Sequence, residues 1–141
     1  MKLEFFTPLI NGSLPVPYIL SKVSAGFPSP ADDFIDNKID INKMLIKHPA
    51  ATYFIRVTGQ SMIDYGIQDG DLLIVDRSLN DINKKIVIVV MAGDFLVKHI
   101  YKKNKIFFLS SGNKNYQEIE ITEEMDCIIW GVVTYVIHAT K

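Results

Sequence analysis

The sequence predicts a mostly β fold: folded-over antiparallel sheets or a small barrel of about seven strands, with short helices and an extended N-terminal arm. Three observations carry this. From Thr52 onward, runs rich in Val, Ile, Phe and Tyr follow one another closely. Short turn signals separate them: Asp69-Gly70, Ala92-Gly93-Asp94, Lys102-Lys103-Asn104 and Ser111-Gly112-Asn113. Five of the six prolines (Pro8, Pro15, Pro17, Pro28, Pro30) fall near the N-terminus.

The elements follow in order. Proline fixes φ and removes a backbone donor, so residues 1–30 are expected to be extended or turn-rich. The same stretch is apolar (Phe5, Phe6, Leu9, Ile10, Tyr18, Ile19), which suits an arm lying across a folded surface. Ser29-Pro30-Ala31-Asp32-Asp33 has the form of a cap, a first-turn proline and acidic residues, and predicts a short helix. Asp40 is placed to cap a second helix, with Ile41, Met44, Leu45 and His48 on one face and Pro49 as its stop. Strands are expected at Tyr53–Thr58, Asp71–Asp76, Lys85–Met91, Phe95–Tyr101, Lys105–Leu109, Gln117–Thr122 and Cys127–His138.

Composition narrows the function classes. A chain of 141 residues fits one domain, and 48% hydrophobic residues suffice for a real core. The net charge of −1 gives no electrostatic footprint for direct nucleic-acid binding. One cysteine, Cys127, allows no internal disulfide, and sits in an apolar run that suits the core. His48, His99 and His138 show no metal-ligand spacing, so no metal or other cofactor is expected. No apolar run reaches a membrane span, and Glu4 and Pro8 spoil the start of a signal peptide. The chain reads as cytoplasmic.

Three features carry chemistry. Lys98 lies inside an apolar strand, Phe95-Leu96-Val97-Lys98-His99-Ile100. Alternation puts it on one face with Leu96 and Ile100. A desolvated lysine loses affinity for its proton and can serve as a general base. The plainer reading is an edge-strand lysine whose stem packs while its amine reaches water. Ser61 lies on the turn Gly59-Gln60-Ser61-Met62, ahead of a short helical turn whose N–H groups could hold an oxyanion. Ser61 there is also a good helix cap. Ser24-Ala25-Gly26-Phe27 offers a small-residue bond in an extended arm, as a peptidase substrate requires, or else an ordinary linker glycine. Trp130 reads as core, and Lys102, Lys103 and Lys105 as a solvated hairpin tip.

The order of these features is more specific than any one of them. Ala25-Gly26 comes first, then Gly59-x-Ser61-Met62-x-x-x-Gly66-Ile67-x-Asp69-Gly70-Asp71-x-Leu73-Ile74-Val75-Asp76, then Val97-Lys98. Over nearly the whole chain this resembles the LexA/UmuD family of self-cleaving serine peptidases. Phe27-Pro28-Ser29-Pro30-Ala31, His48-Pro49, Ser61-Met62-Ile63-Asp64 and Gly131-Val132-Val133 resemble its UmuD branch in particular. Gln60 stands where many members carry Asp.

The resemblance implies a LexA/signal-peptidase-like fold with two zones, a 1–30 arm holding the cleavage site and a 31–141 peptidase-like β domain. It implies Ser61 as nucleophile, Lys98 as neutral general base and Ala25-Gly26 as the bond cut. The backbone N–H groups of Ser61 and Met62 would form the oxyanion site. It further implies a homodimer, cleavage stimulated by a RecA filament on single-stranded DNA, and a processed dimer that joins a UmuC-type catalytic subunit in error-prone translesion synthesis.

Rival readings are a LexA-like or phage-type repressor or antirepressor relative, and a non-catalytic module that only docks on a polymerase. The stretch before Gly26 is short and proline-rich for a DNA-reading helix pair. Type I signal peptidase shares the dyad but normally carries a membrane anchor.

Overall fold

The computed structural model describes residues 1–10, 15–19, 35–113 and 117–140. The expected bond Ala25-Gly26 and the helix expected from Ser29 lie outside the described residues. Two compact units emerge, Leu9–Lys47 and the combination of Met1–Pro8 with His48–Lys141.

In the smaller unit, β2 (Pro15–Ile19) pairs antiparallel with β3 (Ile35–Asp40). Two prolines spaced two apart present their missing N–H groups to the same edge, so the strand can pair through the other. Helix α1 (Ile41–Leu45) follows, capped as expected by Asp40, whose Oδ1 accepts from the N–H groups of Asn42 (3.1 Å) and Lys43 (3.4 Å). It ends at Leu45, short of the expected His48. His48 precedes a proline, which disfavours the helical region, and it adopts φ −131°, ψ 83°.

The larger unit holds an eight-stranded antiparallel sheet. Its strands are β1 (Lys2–Phe6), β4 (Thr52–Thr58), β5 (Leu72–Asp76), β6 (Lys85–Met91), β7 (Asp94–Lys103), β8 (Ile106–Ser110), β9 (Ile119–Glu120) and β10 (Cys127–Ile137). They lie in the order β1-β4-β5-β10-β6-β7-β8-β9. The seven strands expected after Thr52 are all present, with small shifts at their ends. Strand β1 falls in the proline-rich stretch expected to be extended or turn-rich, ahead of the first expected strand. It pairs with β4 along five positions, from Lys2 opposite Thr58 to Phe6 opposite Phe54.

The hairpin turns follow their residues. Ala92 and Gly93 both have positive φ, as do Asn104 and Lys105, the geometry that two-residue hairpins require. The long strand β10 carries register shifts at Ile129/Gly131 and at Val133/Tyr135, which bend it. The sheet folds over as a result. Phe5 of the edge strand β1 meets Phe95 of β7 (4.9 Å between centroids) and Trp130 of β10 (5.2 Å).

A folded sheet buries both faces of its middle strands. Ile88 of β6 joins one cluster with Ile55, Val57, Met62, Leu73, Val75 and Val97. Its neighbours Val87 and Val89 join a second cluster with Ile100, Leu109 and Val132. Trp130 packs against the first cluster and Cys127 against the second, each partly buried.

One buried charge closes the His48 end of this unit. Asp76, 4% exposed, accepts from the Ser78 N–H (2.8 Å) and hydroxyl (2.6 Å), and its other oxygen pairs with His48 Nδ1 at 2.6 Å. Burial alone would push its carboxyl up. The hydrogen bonds from His48 and Ser78, with the His48 charge, outweigh it and hold the carboxyl below its ordinary 3.8. A depressed acid contributes stability that is present above the unfolded value and lost as pH falls through the folded one. Asp76→Asn is therefore expected to cost about 2 kcal/mol at pH 7 and much less once pH falls well below 3.8. Urea melts at pH 7 and in acid would check this, and an equal loss at both would refute it.

Candidate active site

Strand β4 ends at Thr58, and Gly59 turns the chain with φ 112°, a conformation side chains rarely allow. The Gly59 N–H is tied to Asp69 Oδ1 at 2.7 Å. Met62 then drops into the first core cluster, fully buried, and with Ile67 anchors the loop. A 3-10 turn, Ile63–Tyr65, follows and closes on Gly66 at φ 80°. Its N-cap is Met62, with no side-chain cap bond. Ser61 is thus not the cap that its sequence context also allowed. Its side chain is partly buried, and its Oγ lies 3.9 Å from Met1 Sδ.

Lys98 sits on β7, between β6 and β8, opposite Val87. The edge-strand reading therefore fails, because strands cover both sides. Its face is the expected one: Ile100 belongs to the second core cluster and Leu96 packs against it. The amine donates to Ser111 Oγ at 2.6 Å. Burial pulls its pKa below the ordinary 10.5, since the ammonium loses water.

The turn after β8 links the two segments. Asp64 N–H donates to Gly112 O (2.8 Å), Asn113 Nδ2 reaches Gln60 O (3.5 Å), and Tyr65 OH bonds Ser110 Oγ (3.0 Å). The Tyr65 ring also stacks on His99, beside Lys98, at 4.5 Å and 11°. The loop carrying Ser61 and the strand carrying Lys98 are thus both pinned to Ser110–Asn113. Gly112 makes this possible, because a Cβ there would lie 2.6 Å from Tyr65 Cδ2 and 3.1 Å from the Tyr65 nitrogen.

Sequence reasoning named Ser61, Met62 and Lys98. It missed Ser111, read only as part of a turn, and the contact of Met1 with the serine loop. It also missed the pair His138 Nδ1–Asp71 Oδ1 (2.7 Å) and the pair on Asp76, which unite residues far apart in sequence. Among the described residues, no cluster of His, Cys, Asp and Glu could hold a metal ion, and no helix is long and apolar enough to cross a membrane.

Comparison with known proteins gives the family. The Peptidase S24-like family model matches residues 17–134. The chain belongs to the Peptidase S24-like family. It is 38% identical over 121 residues to Protein MucA of Escherichia coli, covering 85% of this chain and 82% of MucA. It is 39% identical over 125 residues to Protein SamA of Salmonella typhimurium, covering 89% and 86%. The LexA repressor of Clostridium perfringens is 34% identical over 121 residues, covering 86% of this chain and 58% of the repressor. The resemblance to the LexA/UmuD group therefore holds, and membership in a peptidase family supports a peptidase.

Gly112→Ala is expected to force the two loops apart at a cost of about 1–3 kcal/mol, the usual range for overpacking. Amide exchange at Asp64 should quicken, because its acceptor is the Gly112 carbonyl. Unchanged exchange at Asp64 with unchanged urea stability would refute this linkage.

Proposed function

We propose that this S24 member is a self-cleaving serine peptidase that cuts its own Ala25-Gly26 bond. Residues 1–30 serve as the arm that brings the bond to residues 31–141. The observation that carries this reading is the shared anchoring of Ser61 and Lys98 on the Ser110–Asn113 turn, with Lys98 partly buried and its amine shifted toward the neutral form.

Neutral Lys98 Nζ takes the proton from Ser61 Oγ as the oxygen attacks the Ala25 carbonyl carbon. The N–H groups of Ser61 and Met62 hold the negative oxygen. Collapse breaks the C–N bond, and the proton passes from Lys98 to the Gly26 nitrogen. Lys98 then activates water, which releases Ala25 from Ser61 as a free carboxylate. A substrate carried on the same chain has a high effective concentration, so the docked arm must be sparsely populated at rest. A RecA filament on single-stranded DNA raises that population. The protein works as a homodimer in the cytoplasm. After processing it serves a UmuC-type catalytic subunit in error-prone synthesis past DNA damage, as part of the SOS response.

The pH dependence follows from the lysine. Below its pKa, each unit of pH changes the neutral fraction about tenfold. Spontaneous cleavage should climb with that slope and level off before 10.5. The test incubates the purified chain at pH 7 and pH 10, with and without RecA–ssDNA–nucleotide filaments, and reads intact mass. A product beginning at Gly26, absent from Ser61→Ala and Lys98→Ala, is the expected result. A rate flat across this range, or cleavage surviving in Lys98→Ala, would remove Lys98 as the base. Failure to cleave under every condition would leave a docking module.

A further inference from the structure

Strand β1 fills the outer edge of β4, and its contacts define what can fill that edge. Five residue pairs join the strands. Met1 and Leu3 pack against the first core cluster. Phe5 sits edge-on to Trp130 (5.2 Å) and to Phe95 (4.9 Å). The Arg77 guanidinium covers the Trp130 ring at 4.4 Å, and Tyr53 lies against it at 5.0 Å. The edge therefore reads alternate side chains: apolar, then aliphatic, then aromatic, at positions i, i+2 and i+4 of an antiparallel strand.

Every residue of β1 precedes Ala25. A cut at Ala25-Gly26 would leave the piece that carries β1 held by non-covalent contacts alone, those of β1 with β4 and those of β2 with β3. Once it leaves, β4 presents an unpaired edge beside uncovered aromatic rings, which sheets do not keep open.

We propose that β1 is an exchangeable strand, and that the β4 edge with its Phe95–Trp130 pocket is a docking site for an extended segment of a partner polypeptide with the pattern apolar-x-aliphatic-x-aromatic. It rests on the proposed self-cleavage only for how the edge is opened in nature. The site takes its affinity from main-chain pairing and its selectivity from the aromatic pocket.

The test separates this from self-cleavage. A site-specific protease sequence is inserted between Pro8 and Leu9 in Ser61→Ala, so that the cut frees β1 from β2 and its pairing with β3, and the full chain is cut by the added protease. Trp130 is the only tryptophan, so its emission reports the pocket. The probe is a synthetic peptide of residues 1–8, with a second peptide carrying Leu3→Asp and Phe5→Asp as control. The severed piece is expected to leave on dilution, seen by native mass, with a red shift of Trp130. The first peptide should reverse that shift, and the second should bind at least roughly tenfold more weakly. The uncut chain should respond to neither. Equal binding of the two peptides, or a severed piece that no excess of peptide displaces, would overturn the proposal. Should the cut protein unfold, hydrogen exchange on the uncut chain decides. Exchangeable pairing requires the β4 amides bonded to β1 to exchange faster than those of β5 and β10, and exchange of all of them only by global unfolding would overturn it.

Discussion

A lysine on an interior strand must be satisfied from within the protein, and much of this site follows from that constraint. Strand β7 is covered on both sides, so Lys98 cannot reach water along a sheet edge. An amine left there without polar contact would cost several kcal/mol. Ser111 meets that need at 2.6 Å. To supply its hydroxyl, the chain must turn immediately after β8, at Ser111-Gly112-Asn113. The same turn then offers the Gly112 carbonyl and the Asn113 amide to the serine loop, and the absence of a Cβ at Gly112 lets Tyr65 approach. One partly buried amine thus sets the end of a strand, the shape of a turn and the seat of the proposed nucleophile. The same burial shifts the amine toward the neutral form that a base requires.

Legibility in the sequence tracked the range of the interactions. Strand β6 was readable to its ends because Ile86, Val87, Ile88, Val89 and Val90 are β-branched throughout and the flanking turns are local. Both buried faces explain why it reads as a continuous apolar run rather than an alternation. Strand β1 was missed although Lys2-Leu3-Glu4-Phe5 alternates cleanly. The prolines that follow it dominated the reading, and its partner β4 lies some fifty residues away. Ser61 and Lys98 stood out because each is odd for its setting. Ser111 is not odd in a turn, and only the fold shows that a lysine points at it. The buried Asp71 and Asp76 looked like strand-end polar residues until His138 and His48 came to meet them.

The proposed self-cleavage requires a fold that does not depend on the N-terminal segment, and the buried side chains among the described residues agree with that. The largest fully buried residues are Ile55, Met62, Ile67, Leu73, Ile74, Ile88, Ile100, Leu109 and four valines, Val57, Val75, Val87 and Val89. All follow Gly26. The contributions of β1 are peripheral by comparison: Met1 and Leu3 are partly buried, and Phe5 remains 37% exposed. Burial of apolar area is the main stabilising term, so removing β1 subtracts from the rim of the first cluster and leaves its centre intact. Loss of the strand would be felt instead at the surface, through an opened β4 edge and through Gly59 and Ser61, where Met1 sits. A strand so placed can change what the protein binds without deciding whether it folds.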